Sequence, residues 1–312
     1  MAKLEKVLVT GGAGYVGSIL VPLLLDAGRK VRVVDNLMYD SHTLLPYIIN
    51  PNFEFIKGDL TKEKVAVKAM KDMDAIIHLA AIVGYPACLK SPELASSVNV
   101  GITRNLYRNR NSEQPILFAS TGSNYGRVDG ICTEETPLNP LTDYGKTKTK
   151  AEQELLEQGN VIVYRFATAF GISPRLRLDL MVNDFVFQAL RNRQLIVYEK
   201  HVRRTFIHVK DMARSFLFAL ENLEKMRDEV YNVGHKSMNF TKEDIARLIR
   251  EKIDYYLHFA EIGEDLDKRD YEVSYEKIRA LGFTTQITID RGLDELITGM
   301  QMVRLENPYS NV

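Results

Sequence analysis

Tyr144 and Lys148 stand four residues apart in DYGKTKTKAEQELLEQG, a stretch that reads as a helix, so both side chains fall on one face. That spacing has a chemical use. A lysine ammonium beside a tyrosine favours the phenolate, and a phenolate near neutral pH takes a proton from a hydroxyl. Alone the pair is weak, because an exposed lysine beside a half-buried tyrosine is common on helices. A second feature lies upstream. The run PILFAST leads into ASTGSNYG, residues 119–126, where a strand built for a core finishes in hydroxyl, amide and glycine residues. Thr121, Gly122 and Ser123 are the candidates there for touching a polar substrate.

A third feature is N-terminal. VLVTGGAGYVGS places Gly11, Gly12, Gly14 and Gly17 between an apolar run and an amphipathic one. Glycine allows positive φ in such a turn, lets the backbone approach a pyrophosphate and packs the next helix close to the sheet. The helix N-terminus then offers N–H groups to the anion. The following run, VRVVD, ends at Asp35, where a carboxylate accepts hydrogen bonds from an adenosine ribose and repels a 2′-phosphate. NAD is therefore expected rather than NADP. A plain structural turn with a capping aspartate is the alternative.

The elements that must carry these groups are short apolar runs: KVLVT, KVRVVD, FEFIKGD, AIIHLAA, PILFAST and VIVYRFAT, several separated by amphipathic segments. Strands buried on both faces read this way, and helices usually make the crossovers between them. The expected fold is α/β, a Rossmann-type doubly wound parallel sheet. From about Gly171 the pattern loosens, which predicts a smaller, mixed α/β substrate lobe. The predicted division is 1–170 plus 205–234 for the dinucleotide-binding part and 171–204 plus 235–312 for the smaller lobe.

Composition narrows the class. The 312 residues carry 41 basic and 41 acidic side chains, so no broad attraction to nucleic acid or to an anionic membrane is expected. The longest apolar stretch, AIIHLAAIVGYPACL, is too short and interrupted to span a bilayer. Cys88 and Cys132 show neither CxxC nor metal-ligand spacing. A reduced, cytoplasmic protein without a metal is the expectation.

TGGAGYVG, VVDNL, KGDL, HLAA, the Asn99 of SVNVGIT, STGSNYG, YGKTK, YRFATAFG and FIHVKD together resemble the extended short-chain dehydrogenase/reductase family, the NAD-dependent nucleotide-sugar epimerases and dehydratases. The resemblance implies an NAD held with Gly11, Gly14 and Gly17 at its pyrophosphate and Asp35 and Asn36 at the adenosine ribose. Asp59 and Leu60 lie near the adenine, and Leu79, Ala80 and Ala81 line the cleft. Tyr15, Val16 and Asn99 complete the implied cofactor contacts. It further implies Tyr144 as the base, Lys148 as the residue that holds the nicotinamide ribose, and the Thr121 hydroxyl at the reacting sugar oxygen. A 4-keto sugar follows.

Differences within the family narrow the outcome. Its 4,6-dehydratases keep an Asp and a Glu where this chain has Gly122 and Ser123, which disfavours dehydration, and its decarboxylases keep a Glu at Ser123. C4 epimerisation remains, as does an enzyme that stops at the 4-keto sugar or reduces one. Thr168 replaces an asparagine that orients the sugar diphosphate in many epimerases. The segments DNLM, FGISPRLRLDLMVNDF, HVRRTFIHV and EDLDKRDYEVS are similar to GDP-heptose 4-dehydrogenases, which oxidise C4 and recycle NADH with a 2-oxo acid. The implied substrate is a GDP- or UDP-linked sugar, with Arg204, Arg269 and Asn183 as candidates for its diphosphate or base. Arg175, Arg177 and Arg203 read first as surface charges, and His78, His208 and Cys88 as packing residues. The family commonly forms homodimers through the Asn99 and Tyr144 helices. An idle NAD-binding sensor or scaffold is the reading from another class; the retained Tyr144, Lys148 and Thr121 weigh against it.

Overall fold

The computed structural model describes residues 4–39, 41–261 and 270–303. In chain order the strands are Lys6–Thr10 (β1), Lys30–Asp35 (β2), Phe53–Lys57 (β3), Ala75–His78 (β4), Ile116–Thr121 (β5), Arg127–Cys132 (β6), Val161–Phe166 (β7), Thr168–Phe170 (β8), Gln194–Tyr198 (β9), Arg203–His208 (β10), Glu229–Val233 (β11), Asn239–Thr241 (β12), Tyr256–Ala260 (β13) and Asp270–Val273 (β14). The main sheet runs β11-β7-β5-β4-β1-β2-β3. Every neighbouring pair in it is parallel. This is the expected doubly wound order, with one further strand at the β7 edge.

Period-two alternation explains why the strands look uniformly apolar. Val7, Val9, Val31, Val33, Ile77, Ile162 and Tyr164 face one core, while Leu8, Val34, Ile76, Phe118, Val161 and Val163 face the other. Helices cover both faces, so neither set meets water. The order reverses between β1 and β4, and in open α/β sheets ligands bind outside the carboxyl ends of the strands at such a point.

A third core gathers Phe170, Val186, Leu195, Val197, Phe206, Ile245 and Leu293 beneath two small sheets, β12-β10-β8 and β13-β9. Strand β10 straddles the boundary, because Phe206 joins this third core and the next residue, Ile207, joins the first. The C-terminal segment also crosses. β14 returns to pair with β6, and Val273, Tyr275, Ile278 and Phe283 pack in the first core, although the sequence division put that stretch in the smaller lobe. No helix among the described residues is long and apolar enough to cross a membrane.

Candidate active site

A cleft of about 1050 Å³ opens at the carboxyl ends of β1, β4, β5 and β7, and Gly11, Leu79, Thr121 and Ala167, at or just after those ends, line it. At one end is the glycine turn. Gly11 has φ 69°, and a Cβ there would lie 2.7 Å from the Ala80 backbone nitrogen. Only glycine lets the turn pass this close to β4. The turn opens the helix Gly17–Asp26, and a Cβ on Gly17 would lie 2.5 Å from Gly12 Cα. The backbone ladder begins with the Ser18 N–H donating to Gly14 O at 2.9 Å. Among the described residues the N–H groups of Tyr15, Val16 and Gly17 meet no protein acceptor, and the first turn has no acidic side chain. Three such donors at a helix N-terminus suit a phosphate group.

Asp35 closes this end. One carboxylate oxygen accepts the Ala13 N–H at 3.0 Å and the other the Leu37 N–H at 2.9 Å. Each oxygen keeps a lone pair for a ribose hydroxyl. Burial raises the Asp35 pKa, and the backbone N–H groups of Leu37, Ala13 and Asn36 oppose that rise. Asn36, Asp59, Leu60, Ala80 and Ala81 line the same end. Asp59 Oδ1 is held by the Thr61 N–H at 2.9 Å and the Thr61 hydroxyl at 2.7 Å. The donors, the carboxylate and the close-approach glycines fit a dinucleotide: Gly11, Gly14 and residues 15–17 would hold its pyrophosphate, and Asp35 its ribose.

The reactive pair sits at the other end. The helix Asp143–Gln158 starts at Thr142, whose hydroxyl oxygen accepts the Gly145 N–H at 3.1 Å. Its second residue, Tyr144, is half-buried at the cleft wall. Lys148, one turn on, is 3% exposed, with its ammonium 3.9 Å from the centroid of the Phe118 ring. Burial is the largest influence on its pKa, pulling it down to about 7, while the carboxylate of Glu152 acts in the opposite sense. A lysine in that range changes charge near neutral pH and can tune a neighbouring phenol. Thr121 ends β5 beside them; its hydroxyl accepts the Ser123 N–H at 3.2 Å and donates to Ser123 Oγ at 3.0 Å. Both hydroxyls line the cleft.

A glycine turn, an acid at the end of the second strand and a Tyr/Lys helix thus share one cleft. The model of the NAD dependent epimerase/dehydratase family matches residues 7–234, well over half of the chain. The chain belongs to that family. NAD is the cofactor of the family. Among relatives, the chain is 29% identical to a low-salt glycan biosynthesis protein of Haloferax volcanii, covering 93% of this chain and 97% of the relative. It is 26% identical to the CDP-paratose 2-epimerase of Salmonella typhi, covering 93% and 98%. The dTDP-glucose 4,6-dehydratase of Bacillus anthracis, solved in complex with NAD, superposes with a TM-score of 0.83 at 25% identity, covering 95% of this chain and 96% of that one. Epimerases and dehydratases both appear, so overall likeness does not separate the two reactions.

In this NAD-dependent family member most sequence candidates meet at the cleft, and three of those described do not. Asn99 is buried and does not line it: its Oδ1 accepts the Ile82 N–H at 2.8 Å, and its Nδ2 donates to Ile82 O and Thr147 Oγ1, both at 3.0 Å. Gly122 lies in the short 3₁₀ turn Gly122–Tyr125 below the surface. Asn183 is also spent inside the protein, because Oδ1 accepts the Gly171 N–H at 2.9 Å and Nδ2 donates to Arg177 O at 2.9 Å. Its amide fixes backbone instead of reaching a ligand. Arg269 lies outside the described residues. Ser123, Thr168 and Arg204 do line the cleft, and Arg204 is 4% exposed there.

Arg175 and Arg177, read from sequence as surface charges, are cleft residues. The Arg175 guanidinium sits 5.0 Å from the Tyr39 ring centroid. Arg177 donates through Nε to Asp179 Oδ1 at 3.1 Å and through Nη2 to Asp179 Oδ2. Burial works against its charge, and Asp179, with Tyr144 and Tyr15, more than offsets that and holds the guanidinium protonated. The available signal was three charges set among the leucines of PRLRLDL. His78 and His208 are buried strand-end residues as expected. The His78 ring lies between Thr10 Oγ1 at 2.8 Å and Thr103 Oγ1 at 3.1 Å, and burial lowers its pKa to about 3.

Proposed function

We propose that the protein oxidises C4 of a nucleoside-diphosphate sugar by hydride transfer, acting as a sugar-nucleotide 4-dehydrogenase or as a C4 epimerase. The observation that carries this reading is the convergence of Thr121, Tyr144 and Lys148 on the cleft whose far end holds the glycine turn and Asp35. When bound, NAD supplies the hydride acceptor. Tyr144, as phenolate, removes the proton from the C4 hydroxyl. Lys148, charged at or below neutral pH, stabilises that phenolate. The hydroxyls of Thr121 and Ser123 hydrogen-bond the same sugar oxygen as charge develops on it. Arg204 is the cation for the diphosphate, helped by Lys242 in the same wall.

Dehydration is disfavoured by what stands at the turn after β5. Gly122 has no side chain and Ser123 carries a hydroxyl. Glu152, the acid of the facing helix that hydrogen-bonds this turn, is fully buried and already binds Arg165, Ser120 and Asn124. A GDP-linked heptose is the favoured substrate on the strength of the DNLM, PRLRLDLMVNDF and HVRRTFIHV segments. A homodimer through the Asn99 helix, which continues into Thr103–Asn109, and the Asp143–Gln158 helix belongs to the same reading. Those two helices are joined by Arg104, whose Nε donates to Glu154 Oε2 at 2.8 Å.

The test is a panel of UDP-, GDP-, dTDP- and CDP-sugars, each with and without a 2-oxo acid, with products identified by NMR. A product inverted at C4 marks the epimerase, and a persistent 4-ketone formed in proportion to the 2-oxo acid marks the dehydrogenase. A 4-keto-6-deoxy product would overturn the exclusion of dehydration.

A further inference from the structure

Tyr144, Lys148 and Glu152 follow one another at four-residue intervals on one helix, and the third has no place in the chemistry so far. Glu152 is fully buried. Its Oε1 accepts from Arg165 Nε at 2.9 Å and Nη2 at 2.5 Å. Its Oε2 accepts from Ser120 Oγ at 2.5 Å and Asn124 Nδ2 at 2.8 Å. One carboxylate therefore ties together the end of β5, the Gly122–Tyr125 turn and β7. The network continues through Arg165 Nη1, which donates to the Tyr125 hydroxyl at 3.0 Å, and that hydroxyl donates to Asn232 Oδ1 at 2.7 Å.

We propose that Glu152 and Arg165 are positioning residues: their ion pair locks the turn that presents Thr121 and Ser123 onto the helix that presents Tyr144 and Lys148. This rests on the hydride-transfer reading above. Thr121 lies between Ser120, held by Glu152, and the turn whose Asn124 is held by the same carboxylate oxygen. Its hydroxyl therefore has little freedom to leave the cleft that Tyr144 also lines. The carboxylate has a second effect through charge. The groups facing Lys148 are the Phe118 ring from β5, His78 from β4, Cys88 from the helix Tyr85–Lys90, and Glu152 from its own helix; Tyr144 stands one helical turn before it and interacts with the Arg177 guanidinium of the same cleft. Glu152 is the carboxylate among them, and it favours the ammonium that Tyr144 needs beside its phenolate.

A buried ion pair broken on one side leaves an uncompensated charge, so two variants are needed: Glu152→Gln, and the double variant Glu152→Gln with Arg165→Met, which leaves no unpaired charge. The direct readout needs no substrate. Phenolate absorbance at 295 nm is titrated in NAD-loaded protein, with Tyr144→Phe protein subtracted so that Tyr144 alone is seen. The expected result in either folded variant is an upward move of the Tyr144 titration by about one pH unit. With a turned-over sugar nucleotide, kcat also falls roughly ten- to a hundredfold at unchanged NAD affinity. A folded double variant that titrates as wild type overturns the proposal, whatever the substrate. Wild-type protein inert towards every nucleotide sugar would defeat the hydride-transfer reading while this titration still decided the positioning one.

Discussion

Asn99 Nδ2 donates to Thr147 Oγ1 at 3.0 Å, and the same side chain clasps the backbone of Ile82 through both its N–H and its C=O. Ile82 follows the residues that line the cofactor end, and Thr147 precedes Lys148, so one buried amide spans the two halves of the site. It is carried on a π-helical segment, Ser97–Ile102, an irregularity frequent at functional positions. Replacing Asn99 by Ala leaves the Ile82 N–H buried without its acceptor and the Ile82 C=O with the weak Cys88 thiol as donor, at 3.4 Å. The expected loss is about 3 kcal/mol of unfolding free energy in urea, with weaker NAD binding. A loss below about 1 kcal/mol would show that the clasp does not matter.

Lys148 makes the site a cost to stability. Its ordinary value is 10.5 and its folded value about 7, so between those pH values the unfolded chain binds more protons and stability rises with pH. Below about pH 7 the ammonium is charged in both states and its burial penalty is present in full. Lys148→Met in the cofactor-free protein is expected to be more stable than wild type by roughly 2 to 4 kcal/mol at pH 7, the advantage fading as pH approaches 10.5. Urea unfolding of both proteins across that range checks it. A variant less stable at pH 7 would show that the lysine is well solvated or well paired. His78 has the same sign in the window between about 3 and 6.5.

Tyr144→Phe keeps the ring packed against its neighbours and removes only the acid–base group. Turnover is expected to fall by about 10²- to 10⁴-fold with the thermal midpoint and NAD affinity unchanged. Equal turnover with any nucleotide sugar would remove Tyr144 from the mechanism.

Asp35 should decide between the two dinucleotides. Its carboxylate is already anchored by the Ala13 and Leu37 N–H groups, so in the proposed dinucleotide pose it is a fixed negative charge that a 2′-phosphate would meet. Asp35→Asn is expected to lower the NAD-to-NADP affinity ratio by about tenfold or more, read by titration of protein fluorescence. An unchanged ratio would place the discrimination elsewhere.

The strands, their parallel order and the Tyr/Lys pair were legible because each rests on a local signal: a run buried on both faces, or a spacing of four on a helix. What stayed hidden depends on partners far apart in sequence. Asn99 and Asn183 occupy motif positions that suit a ligand, yet each amide is used up by groups distant from it in sequence. Glu152 and Arg165 lie on a helix and a strand whose contact no spacing announces. The polar run ASTGSNYG looked like one surface, but it has two sides: Thr121 and Ser123 face the cleft, while Asn124 and Tyr125 serve the buried network beneath it. Arg175 and Arg177 were discounted because charge in a loop is usually solvated; here the loop folds into the cleft wall.

In the proposed reaction hydride leaves C4 of a nucleotide sugar. The most direct measurement is a single-turnover absorbance trace at 340 nm with NAD-loaded protein and each of the UDP-, GDP-, dTDP- and CDP-sugars, run with protium and with deuterium at C4. The expected result is a rise at 340 nm with at least one sugar, slowed by a primary isotope effect on C4 deuteration and slowed about a hundredfold or more in Tyr144→Phe protein. A rise that is insensitive to C4 deuteration, or none with any of the four nucleotide classes, would contradict it.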